Sequence, residues 1–289
     1  MGLAEVIVLG SIIGGIWALV ASGFSLVFGV ARILNFAHGT YFALGAYVAV
    51  VLNSALKNFM SDCFSLILSI ILSIFIVGFI GVAVYKVCIR PVKMYGVMII
   101  LVTLAIALLF EEILLTIFRD TPISVPFPLS GVVSIAGVPV PYTRLVALVV
   151  AILVIALLDR FINATRTGKE ILATSQDSEA AMLVGIDVER IYVIVTFVSA
   201  ALAALAGILY SQIYAVNPQT AIRVLIYAFA IVILGGLGSV RGSIIAAFII
   251  GFMQVAVSIA LEARWSEIAA MLAIIAILIV RPRGLMGVE

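Results

Sequence analysis

Residues 64 to 85 read FSLILSIILSIFIVGFIGVAVY, 22 residues without a charge. About 18 to 20 apolar residues are enough for a helix to cross roughly 30 Å of hydrocarbon. In lipid such a run can satisfy its backbone only as a helix, whose hydrogen bonds close within the segment. A β-barrel is excluded, since its strands alternate over roughly ten residues and give no runs of this kind. Val97 to Phe118 forms a second long run, interrupted only by Glu111 and Glu112. Composition agrees: 65% of the 289 residues are hydrophobic and 10% are charged, against about 25% charged in soluble domains. Mean hydropathy is +1.38. The expected fold class is all-α, a polytopic integral membrane helix bundle forming one transmembrane domain over residues 1–289.

Outward from that run, apolar segments fall near 5–28, 39–56, 64–85, 97–118, 144–159, 191–213, 222–237, 242–261 and 266–280. They predict about nine transmembrane helices, within a range of eight to ten. The first segment is retained as a span and not read as a cleaved leader. It carries Glu5, has no Lys or Arg before Arg32, and is longer than a leader's apolar core. Cations gather at Lys86, Arg90 and Lys93, at Arg160, Arg166, Lys169 and Arg190, and at Arg281 with Arg283. The positive-inside rule puts all three groups in the cytoplasm. Nine spans satisfy this with the N-terminus outside and the C-terminus cytoplasmic, and place Arg32 and Arg241 inside as well. The expected location is the cytoplasmic (inner) membrane, multi-pass.

The net charge of +2 gives no basic footprint for nucleic acid. Cys63 and Cys88 flank the third span, about 38 Å apart on a helix, beyond disulfide reach. Gly10 with Gly14, Gly45 with Ala49 and Ala203 with Gly207 have the small-xxx-small spacing of close helix contacts, here read as contacts within the bundle.

Three polar regions interrupt the apolar pattern. The first is RILNFAHGTYFALG, residues 32–45, which holds the chain's one histidine. No nucleophile or carboxylate lies near His38 in sequence, so catalysis is set aside. Asn35 and His38 can bond backbone groups freed where the first span stops, and Gly39 tolerates an unusual conformation there; pathway lining or gating is the alternative. A similar glycine-rich break with one Arg occurs at LGGLGSVRGS, residues 234–243, which includes Gly235, Gly236 and Gly238. The second region, 119–143, is a proline-rich external loop or cap with a turn signal at Ala136 and Gly137, suited to a short hairpin that covers helix ends or docks a partner.

The third is the longest, RTGKEILATSQDSEAAMLVGIDVERI, residues 166–191. Ile171, Leu172, Met182 and Leu183 keep helical spacing. Asp177 or Ser178 can cap a second short helix, and Gly185 can end it. Two short amphipathic helices at a membrane surface need the bundle or a partner to cover their apolar faces. Gly168 and Lys169 do not make a P-loop, because Asn163 and Glu170 stand where it needs glycine and Ser or Thr. With one His and no Cys/His cluster, no metal site is expected. Glu111 and Glu112 lie about 21 Å into the fourth span. They either pair with Arg119 or Arg144 near the outer face, or serve in gating or substrate orientation.

ARILNFAHGTYFALGAYVAV (31–50), YKVCIRPVKMYG (85–96), TGKEILATSQDSEAAMLVGIDVERI (167–191), ILGGLGSVRGSIIAAFIIG (233–251) and RPRGLMG (281–287) resemble, in that order, motifs of the LivH-type permease of branched-chain amino acid ABC importers. The NFAHG form is similar to the H-type subunit and not to its M-type partner. The resemblance implies inward movement of branched-chain amino acids, or related small amino acids and amides, powered by ATP hydrolysis on other chains. It implies four partners: a second, LivM-type permease, two cytoplasmic ATPase subunits and an extracytoplasmic substrate-binding protein. No cofactor is bound by this chain; ATP and Mg belong to the ATPases, and the chain is not itself an enzyme. Residues 160–190 then form the ATPase-coupling loop, with Gly168, Lys169, Asp177, Glu179, Ala180, Ala181, Gly185 and Arg190 as contact candidates. EAAMLVG (179–185) is similar to the opening of the coupling pattern of ABC importers, without its downstream Ile-x-Leu-Pro part. Asn35, His38, Gly39, Glu111, Glu112, Gly235, Gly236 and Gly238 are the pathway, gating or helix-break candidates. The competing reading is a stand-alone ion-coupled carrier or channel, which requires an ion site within the membrane.

Overall fold

A computed structural model describes residues 2–93, 95–128, 131–261, 263–280 and 284–286. The nine apolar segments all fall in helices: α1 (Leu3–Ala31), α2 (His38–Leu56), α3 (Asp62–Val84), α4 (Gly96–Phe118), α5 (Tyr142–Ala164), α8 (Val188–Ser211), α9 (Thr220–Gly235), α10 (Val240–Ala260) and α11 (Ala263–Val280). A π turn over Tyr85–Ile89 and a 3-10 turn over Arg90–Val92, with Pro91 at its start, extend α3. Among the described residues, seven helices are long and apolar enough to cross a membrane. The chain is therefore a multi-pass membrane protein. Two of the nine predicted spans fall outside those seven, 222–237 in α9 and 266–280 in α11; α9 has 16 residues, about 24 Å, short of the roughly 30 Å of hydrocarbon.

α1 is the axis of the bundle, packed against α5, α6, α8, α9 and α10. Lipid gives no hydrophobic drive for helices to associate, so close packing and interhelical hydrogen bonds hold them. At Gly14 a Cβ would stand 2.9 Å from the Phe248 Cα, and at Gly251 2.6 Å from the Gly14 Cα. Backbone thus lies on backbone where α1 crosses α10. The same device joins α2 to α8, where a Cβ on Gly45 would collide with Ala204 and one on Gly207 with the Phe42 carbonyl. Polar links add to this: Ser65 Oγ donates to Asn53 Oδ1 (2.7 Å), Ser73 Oγ to the Gly45 carbonyl (2.8 Å), and Trp17 Nε1 to Gln254 Oε1 (2.9 Å).

The two ends of α1 meet different structures. Near its start, Ile12 packs with Val138 and Val140 of a hairpin, β1 (Val132–Ile135) and β2 (Val138–Pro141). The strands turn at Ala136 and Gly137, both with positive φ, the backbone of a two-residue hairpin loop. Near its other end lie α6 (Arg166–Gln176) and α7 (Ser178–Leu183), which share a cavity with Val30, Ala31 and Arg32. The hairpin and the α6–α7 pair therefore sit at opposite ends of the bundle. Cys63 and Cys88 are free thiols. The Arg281–Arg283 cluster lies outside the described residues.

Candidate functional site

α1 stops because Arg32 takes a left-handed conformation (φ 53). The next residues do not stay at the bundle surface. Phe36 N donates to Thr103 Oγ1 (3.2 Å), inside α4, and Asn35, itself buried, accepts from Ala37 N through Oδ1 (3.0 Å) and from His38 N through its carbonyl (3.2 Å). His38 is fully enclosed. Its Nε2 lies 2.9 Å from the Val20 carbonyl and its Nδ1 3.3 Å from Ser199 Oγ, with the Phe24 ring edge-on. Val20 stands eleven residues before the end of α1 and Ser199 eleven after the start of α8, each about 17 Å along its helix. α2 thus begins near mid-depth. The expectation that His38 satisfies groups freed at the end of α1 is corrected: it clamps the start of α2 to the middle of α1.

α9 begins at the same place from the other side. After Ser211 the chain pairs Val216 with Ile123 of the 119–143 segment, N–H to carbonyl in both directions at 2.8 Å. Asn217 and Thr220 then close a turn, with Thr220 Oγ1 donating to Asn217 Oδ1 (2.6 Å). A Cβ on Gly39 would collide with the Ala221 carbonyl. The first turns of α2 and α9 therefore touch through bare backbone. Gly39 is needed for this approach and not for an unusual conformation, since the positive φ of the break belongs to Arg32. Beside the contact lies a cavity of about 210 Å³, lined by Phe36, Thr40, Ala107, Glu111, Ala221 and Leu225 among others.

Helix N-termini carry partial positive charge and unpaired N–H groups, and broken helices whose ends meet inside a membrane are a recurrent way to hold polar solutes there. Of the two acids, Glu111 borders the cavity and Glu112 is exposed. Among the described residues neither forms an ion pair with Arg119 or Arg144, and Arg144 lies over the Tyr214 ring at 6.0 Å. Gly235, Gly236 and Gly238 are not at this junction. They form the turn from α9 to α10, where Gly238 (φ 86) lies 3.1 Å from the Gly29 Cα for an added Cβ. Leu285 N and Met286 N donate to the Leu234 and Gly235 carbonyls (2.8 and 3.0 Å) and so complete the end of α9.

The α6–α7 pair is built from caps. Thr165 Oγ1 accepts from Gly168 N (2.9 Å), and Asp177 Oδ1 accepts from Glu179 N (2.9 Å) and Ala180 N (3.0 Å). α7 ends at Gly185 (φ 86), with Gly185 N bonded to Met182 O and Ile186 N to Ala181 O, a Schellman-type finish. Of the predicted contact residues, Lys169, Asp177, Glu179, Ala180, Gly185 and Arg190 are exposed. Gly168 and Ala181 are buried, Gly168 because a Cβ would strike the Phe161 and Ile162 carbonyls. These two shape the helices and do not offer a surface. Leu183, which the sequence marks with Met182 by its helical spacing, is 88% exposed and Val184 beside it 77%, so the apolar tip of α7 stands uncovered. Beneath the pair, Lys93 sits 3.5 Å over the Tyr192 ring, and partial burial pulls its ammonium below the usual lysine range, against the opposing pull of Glu189.

A family described as "Branched-chain amino acid transport system / permease component" matches residues 6–280. The high-affinity branched-chain amino acid transport system permease protein LivH of Salmonella typhimurium is 28% identical over 287 residues, covering 96% of this chain and 93% of that protein. BraD of Pseudomonas aeruginosa, named for the same system, is 28% identical over 96% of this chain and 94% of its own length. A probable LivH of Methanocaldococcus jannaschii is 29% identical over 94% and 88%. No solved structure matches the chain.

Proposed function

The chain belongs to the family of branched-chain amino acid transport permease components, and on that premise we propose that it is the membrane-spanning subunit of an ABC importer. It carries branched-chain amino acids, or related small amino acids and amides, inward. ATP, with Mg, is hydrolysed on two cytoplasmic ATPase subunits, and a second, LivM-type permease and an extracytoplasmic binding protein complete the assembly. This chain holds no ATPase site of its own. Nine passes, with the N-terminus outside and the C-terminus cytoplasmic, fit the path of the backbone: α9 together with the re-entering segment 212–219 makes one pass, as α2 does with residues 32–37.

The observation that carries the reading is the meeting of the α2 and α9 starts at mid-depth beside Glu111. It supports a pathway for a solute with charged ends, since the helix N-termini suit a carboxylate and Glu111 suits an ammonium. α6 and α7 supply the coupling surface, with the Leu183–Val184 tip seated in an ATPase groove. The test is reconstitution of the assembly in proteoliposomes. Uptake of L-leucine should require the ATPase subunits and ATP; uptake that continues without them would instead favour a stand-alone carrier using Glu111 as its ion site.

A further inference from the structure

Another cavity, of about 280 Å³, lies away from the mid-depth junction, between α1, α5, α6 and the start of α10. Its inner wall is aliphatic, with Leu26, Leu158, Ile162 and Ile171 among the lining residues. Its mouth carries one acid and one base, Asp159 and Arg241. Arg241 Nε and one Nη each donate to Asp159 Oδ1 (3.1 Å both), and Asn163 Nδ2 donates to the same oxygen (3.0 Å). Three donors thus crowd one carboxylate oxygen. Among the described residues Oδ2 of Asp159 and the other Nη of Arg241 have no hydrogen bond, so an acceptor and a donor remain for a guest.

Two further features point the same way. α10, 21 residues long, begins at this mouth, with Ser239 capping it through Gly242 N (3.1 Å). Its positive end favours a carboxylate. Inside, Ser25 is fully buried, and its Oγ has no hydrogen-bond partner among the described residues. A buried hydroxyl left unpaired is costly, and a bound polar group would satisfy it.

We propose that this cavity is a second solute site, which takes an α-amino acid with an aliphatic side chain. The ammonium bonds Asp159 Oδ2, one carboxylate oxygen bonds Arg241 and the start of α10 while the other takes the Ser25 hydroxyl, and the side chain enters the aliphatic wall. Neither charged group has to leave its partner, because Asp159 Oδ2 and one Nη of Arg241 are still open among the described residues. The geometry adds a consequence. Ile171, Leu172 and Ser175 bring α6 into the wall, so a guest pins α6 against α1, α5 and α10. Resting on the reading of α6 and α7 as the coupling surface, the site faces the releasing side, and imported product bound there slows ATP-driven uptake.

Two measurements on the reconstituted assembly of permeases and ATPases test this, the second with the external binding protein added. Equilibrium dialysis of radiolabelled L-leucine, without the external binding protein, should show saturable binding. That binding should fall about tenfold or more in Asp159→Asn and in Arg241→Gln, as loss of a charge-assisted hydrogen bond predicts. Leu172→Trp, which fills the cavity from a half-exposed position, should do the same. Leucinol and isovalerate, each lacking one charged group, should compete about tenfold less well or worse. In uptake assays, L-leucine on the ATPase side should slow the unmodified assembly and not the Asp159→Asn assembly. Binding unchanged in all three variants, or equal competition by leucinol and isovalerate as for a lipid-filled crevice, would overturn the proposal. An assembly that imports nothing defeats the transport reading alone, because the dialysis result still decides the site.

Discussion

The start of α2 and the start of α7 are both helix beginnings after a break in the chain, yet they are held in opposite ways. At α2 the contacts are backbone against backbone, with no room for a Cβ at Gly39 and with His38 bonded to the body of α1. At α7 one aspartate oxygen caps two N–H groups, one alanine is buried, and the apolar tip stands in the open. One site is complete within the chain, whereas the other needs a second surface to cover Leu183 and Val184. On the proposed function, the difference separates what must stay fixed for a pathway to exist from what must engage and release for work to be delivered to it.

The strongest way to break this contrast is at the tight site. Gly39→Val should drive the side chain into the Ala221 carbonyl; overpacking costs about 1–3 kcal/mol or more, and the expected outcome is little protein surviving detergent extraction and size-exclusion chromatography. At the open site, Leu183→Asp should leave the melting temperature unchanged while ATP-driven uptake falls by about tenfold or more, as for a truncated interface anchor. A matching loss of thermal stability would show that the tip is packed within the bundle after all. Gly185→Val tests the end of the same helix. Its φ of 86 is strained for a β-branched residue by about 1–3 kcal/mol, and uptake should drop severalfold with ATP hydrolysis retained. Asp177→Ala should have the smallest effect, loss of a cap worth about 1 kcal/mol, seen as faster amide hydrogen exchange confined to residues 178–183.

The sequence made the helices legible because each is an apolar run ended by charge, glycine or proline. It marked the break at 32–37 as well, through Arg32, Asn35 and His38. The gap near 212–219 was legible, but the return of the chain into the bundle there was not. QIYAVNPQ carries no charge, so α8 and α9 read as ordinary neighbouring spans, although Asn217 and Pro218 were signals of a turn. The glycine-rich 234–243 segment drew the comparison with 32–45 instead, yet it is the tight turn from α9 to α10, packed on Gly29 at the end of α1. What Gly39 does depends on Ala221, 182 residues later, and no local pattern can report a contact at that separation. For the same reason Gly168 and Ala181 passed as contact residues: spacing shows that a helix is amphipathic, and only packing shows which small residues are covered.

The glycine seam between α1 and α10 has a consequence in time. The first of these helices is made roughly 210 residues before the second, which at about 5–20 residues per second is a wait of about 10–40 s in the growing chain. For that interval Gly10 and Gly14 face lipid or an insertion factor instead of Phe248 and Phe252. The helix that becomes the axis of the molecule is thus the one that spends longest without its principal neighbour, and errors of assembly should concentrate there.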